Sequence, residues 1–154
     1  MELMKKISIL WFLFIFFVVG IYYWSDSDKS EENLPKAYIA GQAFDLEIAS
    51  DNQSRRLGLA GRDFLADNQA MLFIFPEKSK PAFWMKGMKF DIDLLWIDNQ
   101  TIVDYEKNMP AVANDFELRR YYPVLEVDKV MELPAGTIDS LGIKKGDIIK
   151  FSPR

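Results

Sequence analysis

The chain has no histidine and no cysteine. Without cysteine there is no disulfide, no thiolate metal site, no lipidated cysteine and no thiol nucleophile. Without histidine the commonest general base is missing, and with it the Ser-His and Cys-His dyads and nearly every zinc site built on nitrogen or sulfur ligands. An excess of positive charge is lacking as well. Nineteen Lys and Arg against 23 Asp and Glu leave a net charge of -4, which disfavours nucleic acid as a partner, because that binding rests on neutralising phosphates. No glycine-rich loop follows a strand and opens a helix, so Gly136, Gly142 and Gly146 read as turn and cap positions rather than a phosphate cradle. Ser79-Lys80 offers no Ser-Lys nucleophile, since adjacent residues of a strand point apart. The expectation is therefore no catalytic residue, no metal and no cofactor.

What is present is apolar. At 154 residues with 49% hydrophobic and 14% aromatic content, the chain has room for one membrane segment and one compact domain. Ile7 to Trp24 carries no charge and, as a helix, would span about 27 Å, close to the hydrocarbon thickness of a bilayer. Lys5 and Lys6 precede it and the next positive residue is Lys29, which predicts a cytoplasmic N-terminus and a domain on the outer side, periplasmic or at the cell surface. Tyr22, Tyr23 and Trp24 suit an interfacial aromatic belt. They are too bulky for a signal peptidase site, so residues 1–24 read as a cytoplasmic stub and uncleaved single-pass anchor. Residues 25–36 are polar and mostly acidic, a short linker.

The folded part is expected over residues 37–154, where the pattern has mostly a period of two. Phe44, Leu46 and Ile48 alternate with Asp45 and Glu47 as a half-buried strand would. Ser50 or Asp51 can cap a short helix through Leu57, stopped at Gly58 and Gly61. Met71 to Phe75 reads as a strand buried on both faces and ended by Pro76; residues 77–81 follow as a loop. Ala82 to Met88 and Phe90 to Ile97 read as two further strands, with a turn at Asp98-Asn99-Gln100 and a return strand from Thr101 to Asn108. Met109 to Pro123 is the longest irregular connection, and Val124 to Leu133 resumes strand pattern. Pro134 suits the first turn of a second short helix ending at Gly142, and Ile148 to Phe151 is the last strand. The predicted architecture is mainly β, a compact single-domain barrel or jelly-roll-like sandwich with two short helices, preceded by the N-terminal transmembrane helix.

Two charges interrupt apolar runs. Lys86 ends Phe83-Trp84-Met85, and Asp93 breaks the run from Ile92 to Ile97. If Ala82 to Met88 is a strand, Trp84, Lys86 and Met88 share a face, and Lys86 stands beside an indole as a candidate anion site. The plain alternative is that Lys86 reaches the rim or pairs with Asp93 or Glu132. Asp93 and Glu132 could form a carboxylate pair for acid-base work or for a hard cation, or simply serve as partners for Lys86 and Arg62. Arg62, after a glycine at a helix exit, can clamp a carboxylate or support its loop.

Gly58-Leu59, Arg62, Met71-Leu72-Phe73, Phe75, Phe83-Trp84-Met85-Lys86, Asp93, Asp98, Glu106-Lys107-Asn108, Met131 to Gly136 and Gly146-Asp147 resemble, in order and spacing, the DUF192 family, a family of unknown function. The resemblance runs from Phe44 to Phe151. It implies a compact β-rich domain, often exported or membrane-tethered, and no assigned reaction. Departures from the family pattern include Gly87-Met88 in place of the common Asn-Thr, and Asp91 in place of a proline. The leading expectation is an anchored, non-catalytic binding domain. It would take a small anionic or sugar-like ligand, or an envelope protein, near Arg62, Trp84, Lys86, Asp93 and Glu132. The alternatives are a carboxylate-dependent, hydrolase-like enzyme acting on an envelope substrate, and a structural or assembly factor in a membrane complex.

Overall fold

The structure is a computed structural model and describes residues 34–112 and 118–152. The expected anchor, Ile7 to Trp24, and most of the acidic linker lie outside the described residues. Among those described, no helix is long and apolar enough to cross a membrane.

The described residues fold as one seven-stranded sheet with two short helices. In chain order these are β1 (Lys36–Ile39), β2 (Gln42–Ala49), α1 (Asn52–Leu57), β3 (Gln69–Ser79), β4 (Ile92–Asp98), β5 (Thr101–Met109), β6 (Val127–Pro134), α2 (Thr137–Leu141) and β7 (Lys150–Ser152). The sheet order is β5-β4-β6-β3-β2-β1-β7, curled into a half-barrel. Its two edges meet at one corner, where Thr101 bridges Ile148 and Gly146 N–H donates to the Ile102 carbonyl at 2.8 Å. A two-sheet sandwich is thereby corrected to a single curled sheet. Every strand pair is antiparallel except β2 with β3, whose parallel pairing requires the crossover that carries α1.

Both faces of the central strands are covered, which explains the unbroken apolar runs of β3 and β4. One face packs Phe44, Leu46, Leu72, Leu95, Met131 and Leu133 under Ile138 of α2 and Ile143. The other packs Met71, Phe73, Leu94, Trp96 and Val130 under Leu59 and the segment holding Phe83, Met85 and Met88.

Four local readings change. Residues 82–88 are not a strand: only Phe83 pairs, with Tyr121, and the chain then turns at Lys86-Gly87, where Gly87 has φ +70. Met85 and Met88 are both buried while Trp84 and Lys86 are exposed, so Trp84, Lys86 and Met88 do not share a face. β3 runs past Pro76 to Ser79, because its register against β6 shifts between Ile74 and Ser79 and the proline needs no ladder donor there. β6 continues through Pro134, and α2 starts at Thr137 after Gly136. The start of β6 falls at Val127, leaving Val124 and Leu125 exposed.

Candidate functional site

Helix α1 places one wall of the site. Asp51 accepts the N–H groups of Gln53 at 2.7 Å and Ser54 at 3.0 Å, and Ser54 answers the Asp51 backbone, completing a capping box. Those bonds favour the ionised form and hold the Asp51 pKa down at about 2, the Ser54 side chain contributing most. Gly58, with φ +54, then turns the chain down onto the sheet; a Cβ there would meet the Phe73 ring at 3.4 Å. The opposite wall is the Lys86-Gly87 turn. The two walls are tied where Gly61 N–H donates to the Gly87 carbonyl at 2.8 Å.

Between them lies a cavity of about 100 Å³, walled by Leu59, Phe73, Phe75, Phe83 and Met88 and with Arg55, Arg56, Leu57, Trp84 and Lys86 also lining it. The aromatic wall is rigid. Phe83 stands edge-on to Phe73, centroids 4.9 Å apart, and to Trp96 at 5.4 Å. Arg55 is spent on structure, donating to the Ile74 carbonyl at 2.9 Å and to Asn52 at 2.7 Å, with its guanidinium 5.6 Å over Phe75. Arg56 is exposed, and Arg120 lies over the Trp84 ring at 5.8 Å.

Glu132 lines the same cavity from β6. It is 5% exposed, and its Oε2 has no hydrogen-bond partner. Burial pushes its carboxyl up from 4.5 to about 8, the Arg62 charge opposing that rise. The neutral acid is therefore the main form at neutral pH, with one O–H to donate. The Nε1 of Trp96 is also buried without a partner, but Trp96 does not line the cavity.

The expected site residues separate. Antiparallel pairing sets Leu94 opposite Glu132 and Asp93 opposite Leu133, so the two carboxylates emerge on opposite faces of the sheet. The anticipated Asp93-Glu132 pair does not form. Asp93 is fully buried, and its two oxygens accept the N–H groups of Asn108 at 2.8 Å and Ile138 at 2.7 Å. It pins a bulge of β5, where Asn108 has φ +47, and the start of α2. It is a structural acceptor, and the sheet separates it from the cavity that Lys86 lines. Arg62 forms a two-point pair with Glu47 at 2.7 and 2.5 Å, and that pair raises its pKa. It sits in a neighbouring hollow with Leu59 and Leu65. Trp84, Lys86 and Glu132 are brought together. The aromatic wall and Arg56 carry no local signal as site residues, because the β3-β6 pairing sets Phe73 beside Glu132 and the α1 crossover brings in Arg56. Among the described residues no group of three or more carboxylates gathers to hold a metal ion.

Comparison with known proteins gives the chain's relatives. The family model DUF192, "Uncharacterized ACR", matches residues 36–151. A curated relative, UPF0127 protein TK1120 of Thermococcus kodakarensis, is 29% identical over 89 residues, 56% of this chain and 52% of that protein. The chain thus spans about half the length of that curated relative. A crystal structure from Sinorhizobium meliloti 1021, provisionally described as a transcription regulator, is 30% identical with a TM-score of 0.65, covering 76% of this chain and 91% of that one. A protein of unknown function from Novosphingobium aromaticivorans is 20% identical with a TM-score of 0.67, over 78% of this chain and 88% of that one, and shares the fold.

Proposed function

We propose that this chain, which belongs to the DUF192 family, is a non-catalytic binding domain that takes a small ligand in the cavity between α1 and the Lys86-Gly87 turn. The observation that carries the reading is the Oε2 of Glu132, buried at the cavity without a hydrogen-bond partner. A buried polar atom left unmatched costs ~1–3 kcal/mol, a cost that a ligand meeting it offsets. Apolar walls with a few convergent polar groups are the usual make-up of a ligand pocket. The cationic side chains of Arg56 and Lys86, which line the cavity, and of Arg120, over the Trp84 ring, favour an anion.

The domain is held on the outer side of the cytoplasmic membrane by Ile7 to Trp24, a location that rests on the uncharged run and the lysines before it. Nucleic acid is disfavoured as the partner by the net charge of -4, whatever role the Sinorhizobium relative has.

A carboxylate enzyme is the second reading, favoured by one fact: a carboxyl raised to about 8 is suited to general acid work. A glycosidase-like pair is unsupported, because Asp93 emerges on the other face of the sheet. A fragment collection screened against the full chain, with thermal shift and tryptophan fluorescence compared with that of Trp84→Phe as readouts, tests the binding reading. Hits weakened by Lys86→Ala or Glu132→Met support it; an absence of hits at this cavity overturns it.

A further inference from the structure

The cavity is more selective than "small, anionic or sugar-like". Its deep part is lined by Phe73, Phe83, Leu59, Met88 and Glu132, whose Oε2 is buried without a hydrogen-bond partner. A sugar brings several hydroxyls, each needing a partner when buried, and among the side chains of the deep part Glu132 alone offers one. A chain or ring of carbon atoms needs none. The volume of about 100 Å³ sets the size. Benzene, with six heavy atoms, occupies an engineered cavity of ~150 Å³, so a body of roughly four heavy atoms fits here, with anything longer emerging at the mouth.

The mouth differs from the floor. Exposed Leu57 and Trp84 stand there with Arg56 and Lys86, and Arg120 stacks 5.8 Å over the Trp84 ring. An anionic group placed outward meets these cations in partial contact with water, where its desolvation cost is small. An anion placed inward would meet one carboxyl among hydrocarbon.

Resting on the binding reading above, we infer that the ligand is a small amphiphilic monoanion. It has an apolar body, an anionic group at the mouth, and a neutral hydrogen-bond acceptor such as a ketone at its inner end, facing the buried, unpartnered carboxyl of Glu132. The charged groups around that carboxyl are Arg62 from the loop after α1 and Arg55, Arg56 and Lys86 at the cavity walls. β3 and β4 present Met71, Phe73 and Leu94 on that side. None of these side chains accepts the Glu132 proton in place of the ligand.

The test uses the full chain with methyl-labelled methionine, because Met88 lines the cavity and reports occupancy by NMR. Four probes separate the parts: levulinate with both acceptor and anion, valerate without the inner ketone, methyl propyl ketone without the anion, and glucuronate as a sugar acid. Levulinate is expected to bind roughly three- to tenfold tighter than valerate or the ketone, the worth of one net hydrogen bond or one partly exposed charge contact. Glu132→Gln, which keeps an N–H donor, retains the preference over valerate and removes its pH dependence. Glu132→Met abolishes it. In the wild type the preference fades as the pH rises beyond the Glu132 titration. Equal binding of levulinate and valerate, or a preference that survives Glu132→Met, overturns the inference. A Met88 response to glucuronate alone overturns this ligand class and leaves the binding domain standing. Silence from all four probes and from the fragment collection removes both.

Discussion

Asp93 and Glu132 are the two carboxylates buried among the described residues, one on each face of the same sheet, and their surroundings are opposite. Asp93 has each oxygen matched to a backbone N–H. Glu132 has an oxygen with no partner and lines a cavity. Burial alone thus says nothing about role. A buried carboxylate whose acceptors are filled by the chain's own amides holds loops in place, and one whose acceptors are unfilled has been left for something else.

Removing the matched carboxylate should have the largest effect. Asp93→Ala strands two buried N–H groups, at the β5 bulge and at the start of α2, and should destabilise the fold by about 4 kcal/mol in urea unfolding. A cost under about 1 kcal/mol would mean that water replaces the carboxylate and that the contrast is false.

Removing the unmatched one should do the reverse, in a pH-dependent way. The Glu132 carboxyl keeps its proton to about 8 when folded, against 4.5 when unfolded. The folded state then binds more protons across that window. Its favourable contribution is fully present below the lower value and is lost as pH rises through the higher one. Wild-type stability should fall by about 3 kcal/mol more than that of Glu132→Gln between about pH 5 and pH 8. Parallel pH profiles of the two proteins would contradict this.

Gly58→Ala comes next. Its Cβ would touch Phe73 at 3.4 Å without a clash, but the backbone φ of +54 disfavours any side chain, so about 1–2 kcal/mol of stability should be lost and ligand access reduced. The smallest effect belongs to Lys86→Ala. It should leave thermal unfolding within about 0.5 kcal/mol of wild type, because Lys86 is exposed, while weakening anion binding.

Much of this contrast was legible before the fold was known, and its decisive half was not. The misfit of Asp93 in an apolar run, and of Glu132 between Met131 and Leu133, is visible in the sequence. Which face each takes depends on the β4-β6 register, a non-local pairing that no local pattern carries. The alternation of Phe83 and Met85 with Trp84 and Lys86 resembled a strand, but Gly87 breaks it and swings Met88 inward. β1 carries no legible signal because four residues following Pro35 show too little alternation, and its pairing with β2 and β7 supplies what periodicity does not. The helix cap at Asp51 and the exit at Gly58 are local devices, and both were read correctly.

The most direct test is a carboxyl NMR titration of Glu132 in the full chain, with and without levulinate. The account predicts a midpoint near 8 that rises further when levulinate is bound, because the ligand holds the protonated form. A midpoint at the ordinary glutamate value of about 4.3, unmoved by levulinate, would contradict it.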